Sequence, residues 1–188
     1  MRRGTPLVLA LIGALPVAAC RVERAASGRP GVTPASAAAD SVATAEVDAA
    51  LRLYYARLTS RDWKVLAESF WPRATITTIM RPAGATADSV YPTTIEDLVA
   101  RATKVGIHDC PASFSDEIAR ANVVTYGPLA DAWVTYRARC GVTRDSVAIH
   151  YGMDAFHLMK LRGEWRVTGL SFTMETPDQP LGRASAAP

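Results

Sequence analysis

The sequence is short of the residues that carry metal or redox chemistry, and it has little net charge. Among its 188 residues are three Cys and three His, with 21 Lys+Arg against 18 Asp+Glu. So small and scattered an excess excludes a nucleic-acid binder that works by neutralising phosphates. No Cys-x-x-Cys pair occurs. His150 and His157 share one strand segment and lie about 23 Å apart in an extended chain, so they form no compact ligand pair. Neither a metal nor a cofactor is therefore expected. Gly-x-x-x-x-Gly-Lys, Gly-x-Gly-x-x-Gly and Gly-x-Ser-x-Gly are all missing, which removes the common phosphate cradles and the serine-hydrolase elbow. Outside the first twenty positions there is no run of about 20 apolar residues, which excludes a chain crossing a membrane several times as helices. Aromatics are missing from the first 53 residues: all four Phe, four Trp and six Tyr lie between Tyr54 and Phe172. A packed core is expected to start near residue 46.

What precedes that point has its own character. Met1 to Cys20 opens with Arg2 and Arg3, continues with an apolar stretch from Leu7 to Val17, and ends in Val17-Ala18-Ala19-Cys20. The apolar stretch is too short to span a membrane and is interrupted by Pro6 and Pro16, so residues 1–19 read as a signal peptide. Its last four residues resemble a bacterial lipobox, which implies lipidation of Cys20 and attachment to a membrane without a spanning helix. Arg21 after that cysteine, rather than Asp, implies no retention at the inner membrane. In a bacterium with two membranes the expected location is the periplasmic face of the outer membrane. Residues 20–45, rich in Ala, Ser, Pro and Gly, are expected to be a flexible tether, and residues 177–188 a disordered tail. Without these pieces, residues 46–176 hold 15 basic and 15 acidic residues. The basic character of the chain therefore says nothing about the domain's partner.

Within the domain three amphipathic helices are expected first. Val47, Ala50, Leu51, Tyr54 and Leu58 recur at helical spacing. Thr59-Ser60-Arg61-Asp62 reads as a capping box for a second helix carrying Trp63, Leu66, Ala67 and Phe70 and stopping at Pro72. Thr93-Thr94-Ile95-Glu96 reads as the cap of a third, with Leu98, Val99 and Ala102, ending at Gly106. Strands are expected at about 74–80, 88–91, 114–126, 130–140, 145–161 and 164–174, with Arg162-Gly163 as a tight hairpin. No proline falls between Pro128 and Pro177, as central strands require. Helices first and a long antiparallel meander afterwards give an α+β fold, with helices on one face of a curved, mostly antiparallel sheet.

The aromatic-rich helix pair, Tyr54-Tyr55-Ala56-Arg57-Leu58 through Asp62-Trp63 to Phe70-Trp71, is followed by a third helix and by strands ending in Gly163-Glu164-Trp165-Arg166-Val167. This arrangement resembles the nuclear transport factor 2-like superfamily, in its SnoaL-like, polyketide-cyclase-like branch, over roughly residues 46–175. The resemblance implies a cone-shaped α+β barrel with a pocket between sheet and helices and a tendency to dimerise through the outer face of the sheet. It does not choose among isomerases, cyclases, dehydratases and binding modules.

Several side chains could carry chemistry. Tyr54, Trp63, Phe70, Tyr136, Phe156 and Trp165 could line a cavity for a planar apolar ligand, or simply fill the core. If 145–161 alternates as one strand, Ile149, Tyr151, Met153, Ala155, His157, Met159 and Leu161 share a face on which His157 is the only strongly polar group. It could be a general base in a pocket or a histidine satisfied by a carbonyl. A bulge at Gly152 would bring His150 to the buried face instead. Asp116, Glu117 and Asp154 lie in strands, and the resemblance to ketosteroid-isomerase-like members implies that Asp116 as base with Tyr136 as donor could work together if both point inward. Trp133 among arginines suits an outer face or a dimer interface. Cys110 and Cys140 either bridge, closing a loop worth about 3 kcal/mol, or remain two buried thiols. The expected function is an envelope lipoprotein binding a small apolar molecule or a protein. An isomerase- or cyclase-type enzyme and a homodimeric interaction module without a ligand are the alternatives.

Overall fold

A computed structural model describes residues 34–80, 86–105, 110–143, 145–176, 180 and 181. The stretch expected to be a signal peptide and Cys20 lie outside these residues, as do Gly106 and most of the expected tail. Helix α1 runs Pro34–Ser60, α2 Trp63–Ala67 and α3 Ile95–Val105; strands are β1 Phe70–Met80, β2 Ser89–Thr94, β3 Ser113–Tyr126, β4 Leu129–Thr143, β5 Ser146–Leu161 and β6 Glu164–Met174. No helix among the described residues is long and apolar enough to cross a membrane.

A boundary of each helix differs from expectation, each for a local reason. α1 begins inside the stretch expected to be a flexible tether, because the alanines from Ala35 onward have the highest helix propensity. α2 does not reach Pro72. Ser60 still belongs to α1, Arg61 turns the chain with φ 56°, and Asp62 alone caps α2, accepting from the N–H groups of Lys64 at 3.2 Å and Val65 at 3.1 Å. After Ala67 the chain leaves the helix, so Phe70 opens β1 and Pro72 sits in a strand. There it falls within the register shift between Phe70 and Thr75, where no ladder bond is required of it. The third helix is capped one residue later than expected. Thr94 Oγ1 accepts from the Asp97 N–H at 3.1 Å and donates to the Asp97 carboxylate at 2.9 Å, while Glu96 instead accepts from the Arg73 N–H at 2.8 Å.

The six strands form one sheet in the order β2-β1-β6-β5-β4-β3, antiparallel except where β1 and β6 run parallel. Pro92 is accommodated in β2 because that strand is an edge. Register shifts in β3 between Ile118 and Arg120, and at the β5–β6 pairing next to Leu158, bend the sheet. Val47, Leu51, Tyr54 and Tyr55 of α1 pack on the concave face against Ala132, Val134, Phe156, Leu158 and Val167. Tyr54 meets Tyr55, Phe70 and Phe156 edge to face with ring centroids 5.1–5.9 Å apart.

Cys110 and Cys140 form a disulfide across a sequence separation of 30 residues. It ties the segment after α3 to β4. Replacing both cysteines by alanine should lower the unfolding free energy by about 3 kcal/mol on the chain-entropy argument, measured by urea denaturation of non-reduced protein.

Candidate functional site

The concave face is wider than α1, α2 and α3 can fill, and a cavity of about 260 Å³ remains between them. Its wall is mostly apolar: Leu58, Leu66, Phe70, Ile76, Leu98, Leu170 and Phe172 contribute, with Tyr54 and Trp63. Asp116 on β3, Tyr136 on β4 and Asp154 on β5 enter it from one side of the sheet, Thr78 on β1 with Tyr91 and Thr93 on β2 line it from the other, and Arg101 reaches it from α3. Asp116 pairs across the ladder with Ala138, and Asp154 with Val134, so Tyr136 stands between the two carboxyls on the same face. A second chamber of about 550 Å³ adjoins the first. The two share Trp63, Phe114, Asp116 and Tyr136, and the second adds Arg61, His150, Glu175 and the disulfide.

The two carboxyls differ in their partners. Asp154 is 4% exposed and accepts a hydrogen bond from the Tyr55 hydroxyl at 2.6 Å. Burial, opposed by the Tyr55 bond, which favours the ionised form, and helped by the charge of Asp116, raises its pKa to about 7. Asp116 is also raised to about 7, chiefly by burial, with the Glu117 carboxylate adding to the rise and the Glu117 N–H opposing it. Yet Asp116 Oδ1 is buried with no hydrogen-bond partner among the described residues. The backbone beneath it is fixed: Thr59 Oγ1 accepts from the Asp116 N–H at 2.9 Å and donates to its carbonyl at 3.2 Å. A carboxyl on a rigid strand with one oxygen unsatisfied, facing an apolar cavity, is set to meet something that enters it.

Tyr136 is aimed by the strand beside it. Its ring lies over Gly152, where any Cβ would overlap the phenol. Among the described residues its hydroxyl reaches only the Thr173 carbonyl, at 3.4 Å, a long contact that leaves it able to donate elsewhere. Burial, then the charges of Asp154 and Asp116, raise the Tyr136 pKa, so it remains a neutral donor.

The sequence-derived residues distribute as follows. Tyr54, Trp63, Phe70, Asp116 and Tyr136 line the inner cavity, and His150 lines the outer chamber. Phe156 is 1% exposed beneath Tyr54 and Tyr55 and belongs to the core. His157 must be corrected. It projects from the outer face of the sheet, where its Nδ1 meets Asp131 Oδ1 at 2.5 Å, with side chains 63% and 50% exposed. The error was one of parity. The buried set in β5 is Gly152, Asp154, Phe156 and Leu158, and no bulge at Gly152 is needed to bring His150 onto that side. The apolar odd-numbered set faces outward, with Ile149 46% and Leu161 56% exposed. Trp133 is on that outer face as expected, 58% exposed. Sequence reasoning placed Asp154 in a strand without giving it a role and passed over Tyr55; the alternation of Asp154 with Phe156 and Leu158 was the available signal.

A separate hollow of about 430 Å³ between α1 and β6 contains no such unsatisfied group. Its charges neutralise one another, Arg57 with Glu68 at 3.0 Å and Arg166 with Glu164 at 2.5 Å. No three His, Cys, Asp or Glu side chains among the described residues are grouped to hold a metal.

No protein-family model and no curated protein matches the chain in sequence. Solved structures do match it in shape. A protein of unknown function from Mycobacterium tuberculosis superposes with a TM-score of 0.60 at 14% identity, covering 84% of this chain and 86% of its own. An NTF2-like protein of unknown function from Pseudomonas putida gives 0.56 at 14% identity, with 74% and 93% covered. The hexachlorocyclohexane dehydrochlorinase LinA-type3 from Novosphingobium barchaimii gives 0.53 at 14% identity, with 72% and 88% covered. The fold is thus the nuclear transport factor 2-like α+β cone.

Because Asp116 binds its proton more tightly folded than unfolded, its contribution to stability is fully present below about pH 4 and is lost progressively as pH rises from there through about 7. Asn imitates the protonated form at every pH. Asp116→Asn should therefore equal the wild type near pH 4 and exceed it by on the order of 1 kcal/mol near pH 8, in melts followed by circular dichroism. A gap that is constant across this range contradicts the assignment.

Proposed function

We propose that the domain binds a small, largely apolar molecule in the inner cavity and that Asp116 exchanges a proton with it, with Tyr136 donating a hydrogen bond to the charge that develops. One observation carries this reading: the buried, unpartnered Asp116 Oδ1 in an apolar cavity that remains open in the folded domain. A carboxyl with a pKa near the working pH is effective as both acceptor and donor, and a neutral phenol beside it can stabilise an oxyanion. The reaction class is proton abstraction and return at carbon, as in an isomerase or a cyclase. One structural neighbour is an enzyme that acts on a small chlorinated ring, which is compatible with this class without identifying the substrate. A homodimeric module acting only through protein contacts leaves both the cavity and the orphan oxygen without a use.

The address is a proposal of the same standing. A lipid on Cys20 would hold the domain at an envelope membrane, and the Cys110–Cys140 disulfide supports an oxidising compartment. Mass spectrometry of the membrane fraction should find a diacylated N-terminal Cys20; an N-terminus at any other residue contradicts the anchor.

A thermal-shift screen of small aromatic and alicyclic compounds tests the pocket. A compound at a hundredfold excess over its Kd should stabilise the protein by about 2.7 kcal/mol, and Leu170→Trp, which fills the cavity, should abolish the shift. For a binder with an acidic C–H, the wild type should accelerate deuterium exchange, and Asp116→Asn should lose at least about a hundredfold. Exchange that survives in Asp116→Asn removes Asp116 from the chemistry.

A further inference from the structure

We propose that the natural ligand is an amphipathic acid, with its apolar body in the inner cavity and its carboxylate in the outer chamber, held by the Arg61 guanidinium with His150 as second donor. This inference rests on the pocket reading above and adds the chemical class of the ligand.

The backbone of Arg61 aims its side chain. It has φ 56° at the end of α1, a conformation that glycine adopts freely and a side chain rarely does, and it is held there by its N–H donating to the Leu58 carbonyl at 3.1 Å. The turn projects the guanidinium into the outer chamber. There it lies 5.0 Å from the centre of the Phe114 ring, and Nη2 donates to the Cys110 carbonyl at 2.7 Å. Ring and carbonyl fix its plane, but among the described residues no carboxylate pairs with it. It is half-buried. Arg57, Arg137 and Arg166, which are about as enclosed, each meet a Glu. A half-buried guanidinium that is oriented but not neutralised calls for an anion, and its flat fork matches a carboxylate with two parallel hydrogen bonds.

The other charges nearby leave that role to Arg61. Arg101, at the rim of the inner cavity, is exposed and already donates to the Tyr91 hydroxyl at 2.7 Å, so water solvates it. Glu175 faces the same chamber, but its two oxygens accept the N–H groups of Tyr151 at 3.3 Å and Leu181 at 3.1 Å. His150 lines the chamber from β5. Because the two chambers meet at Asp116 and Tyr136, a ligand anchored by its carboxylate on Arg61 passes its carbon skeleton across Asp116. Proton exchange would then occur at a carbon between the acid group and the apolar body.

The test uses a pair of probes of matched shape, 2-naphthoate and neutral 2-acetylnaphthalene, titrated calorimetrically into the full-length protein in detergent at pH 8. The acid should bind at least about tenfold more tightly than the ketone. Arg61→Gln should remove that preference, and Arg61→Lys, which keeps the charge without the fork, should fall between. If Arg61→Gln does not fold, loss of the acid preference on raising salt in the wild type decides the matter. Equal binding of acid and ketone overturns this inference and leaves the pocket reading standing. If neither probe binds and the wider compound screen is also silent, both fail.

Discussion

The hydrogen bond from the Tyr55 hydroxyl to the Asp154 carboxyl, 2.6 Å long and buried, connects the two layers of the domain at a point where a polar mistake would be costly. Asp154 projects from the middle of the concave face, between Gly152 and Phe156 in the inward set of β5, where an unsatisfied carboxyl would destabilise the sheet. α1 supplies the donor one residue after Tyr54, whose ring packs on Phe70 and Phe156. The bond therefore sets both the rotation of α1 about its axis and its height above the sheet. With α1 placed there, the helices cover only part of the concave face, and the cavity is the remainder.

The contrast between the two carboxyls follows from that placement. Asp154 faces a helix that answers it, whereas Asp116, one strand beyond Tyr136, faces the space the helices do not fill. Both are pushed toward neutrality by burial, but among the described residues only Asp116 keeps a fully buried carboxyl oxygen without a partner. Thr59 holds its backbone from both sides, so the carboxyl is rigid as well as unsatisfied. Rigid and unsatisfied is a combination found where a ligand completes the structure. Gly152 serves the same end from the neighbouring strand, by leaving room for the Tyr136 ring.

Much of this was legible in the chain and some was not, for definable reasons. The period of Val47, Leu51, Tyr54 and Leu58 marked α1, and the absence of proline after Pro128 marked the strands, because both signals are local. The end of α2 was misread because Phe70 continues the helical spacing while packing from a strand. The parity of β5 was misread because both of its faces carry apolar residues. Alternation tells which side chains share a face, but only the packing of α1 tells which face is inside. His157 was thereby drawn toward a pocket from which it is separated by the thickness of the sheet. The inward direction of Asp116 and Tyr136 could be stated as a condition and not decided, since it depends on register with β4. Arg61 carried no signal at all, because its importance comes from a left-handed turn and an aromatic neighbour more than fifty residues away.

The central claim is that a carboxyl of ordinary chemistry has been made into a proton carrier at neutral pH by its place in an apolar cavity. The most direct measurement is the titration of the Asp116 side-chain carboxyl carbon by NMR on isotopically labelled protein, assigned by its loss in Asp116→Asn. A midpoint near 7 is the predicted result. A midpoint near 4, the value of a solvated aspartate, would mean that water reaches the group freely and would contradict the account.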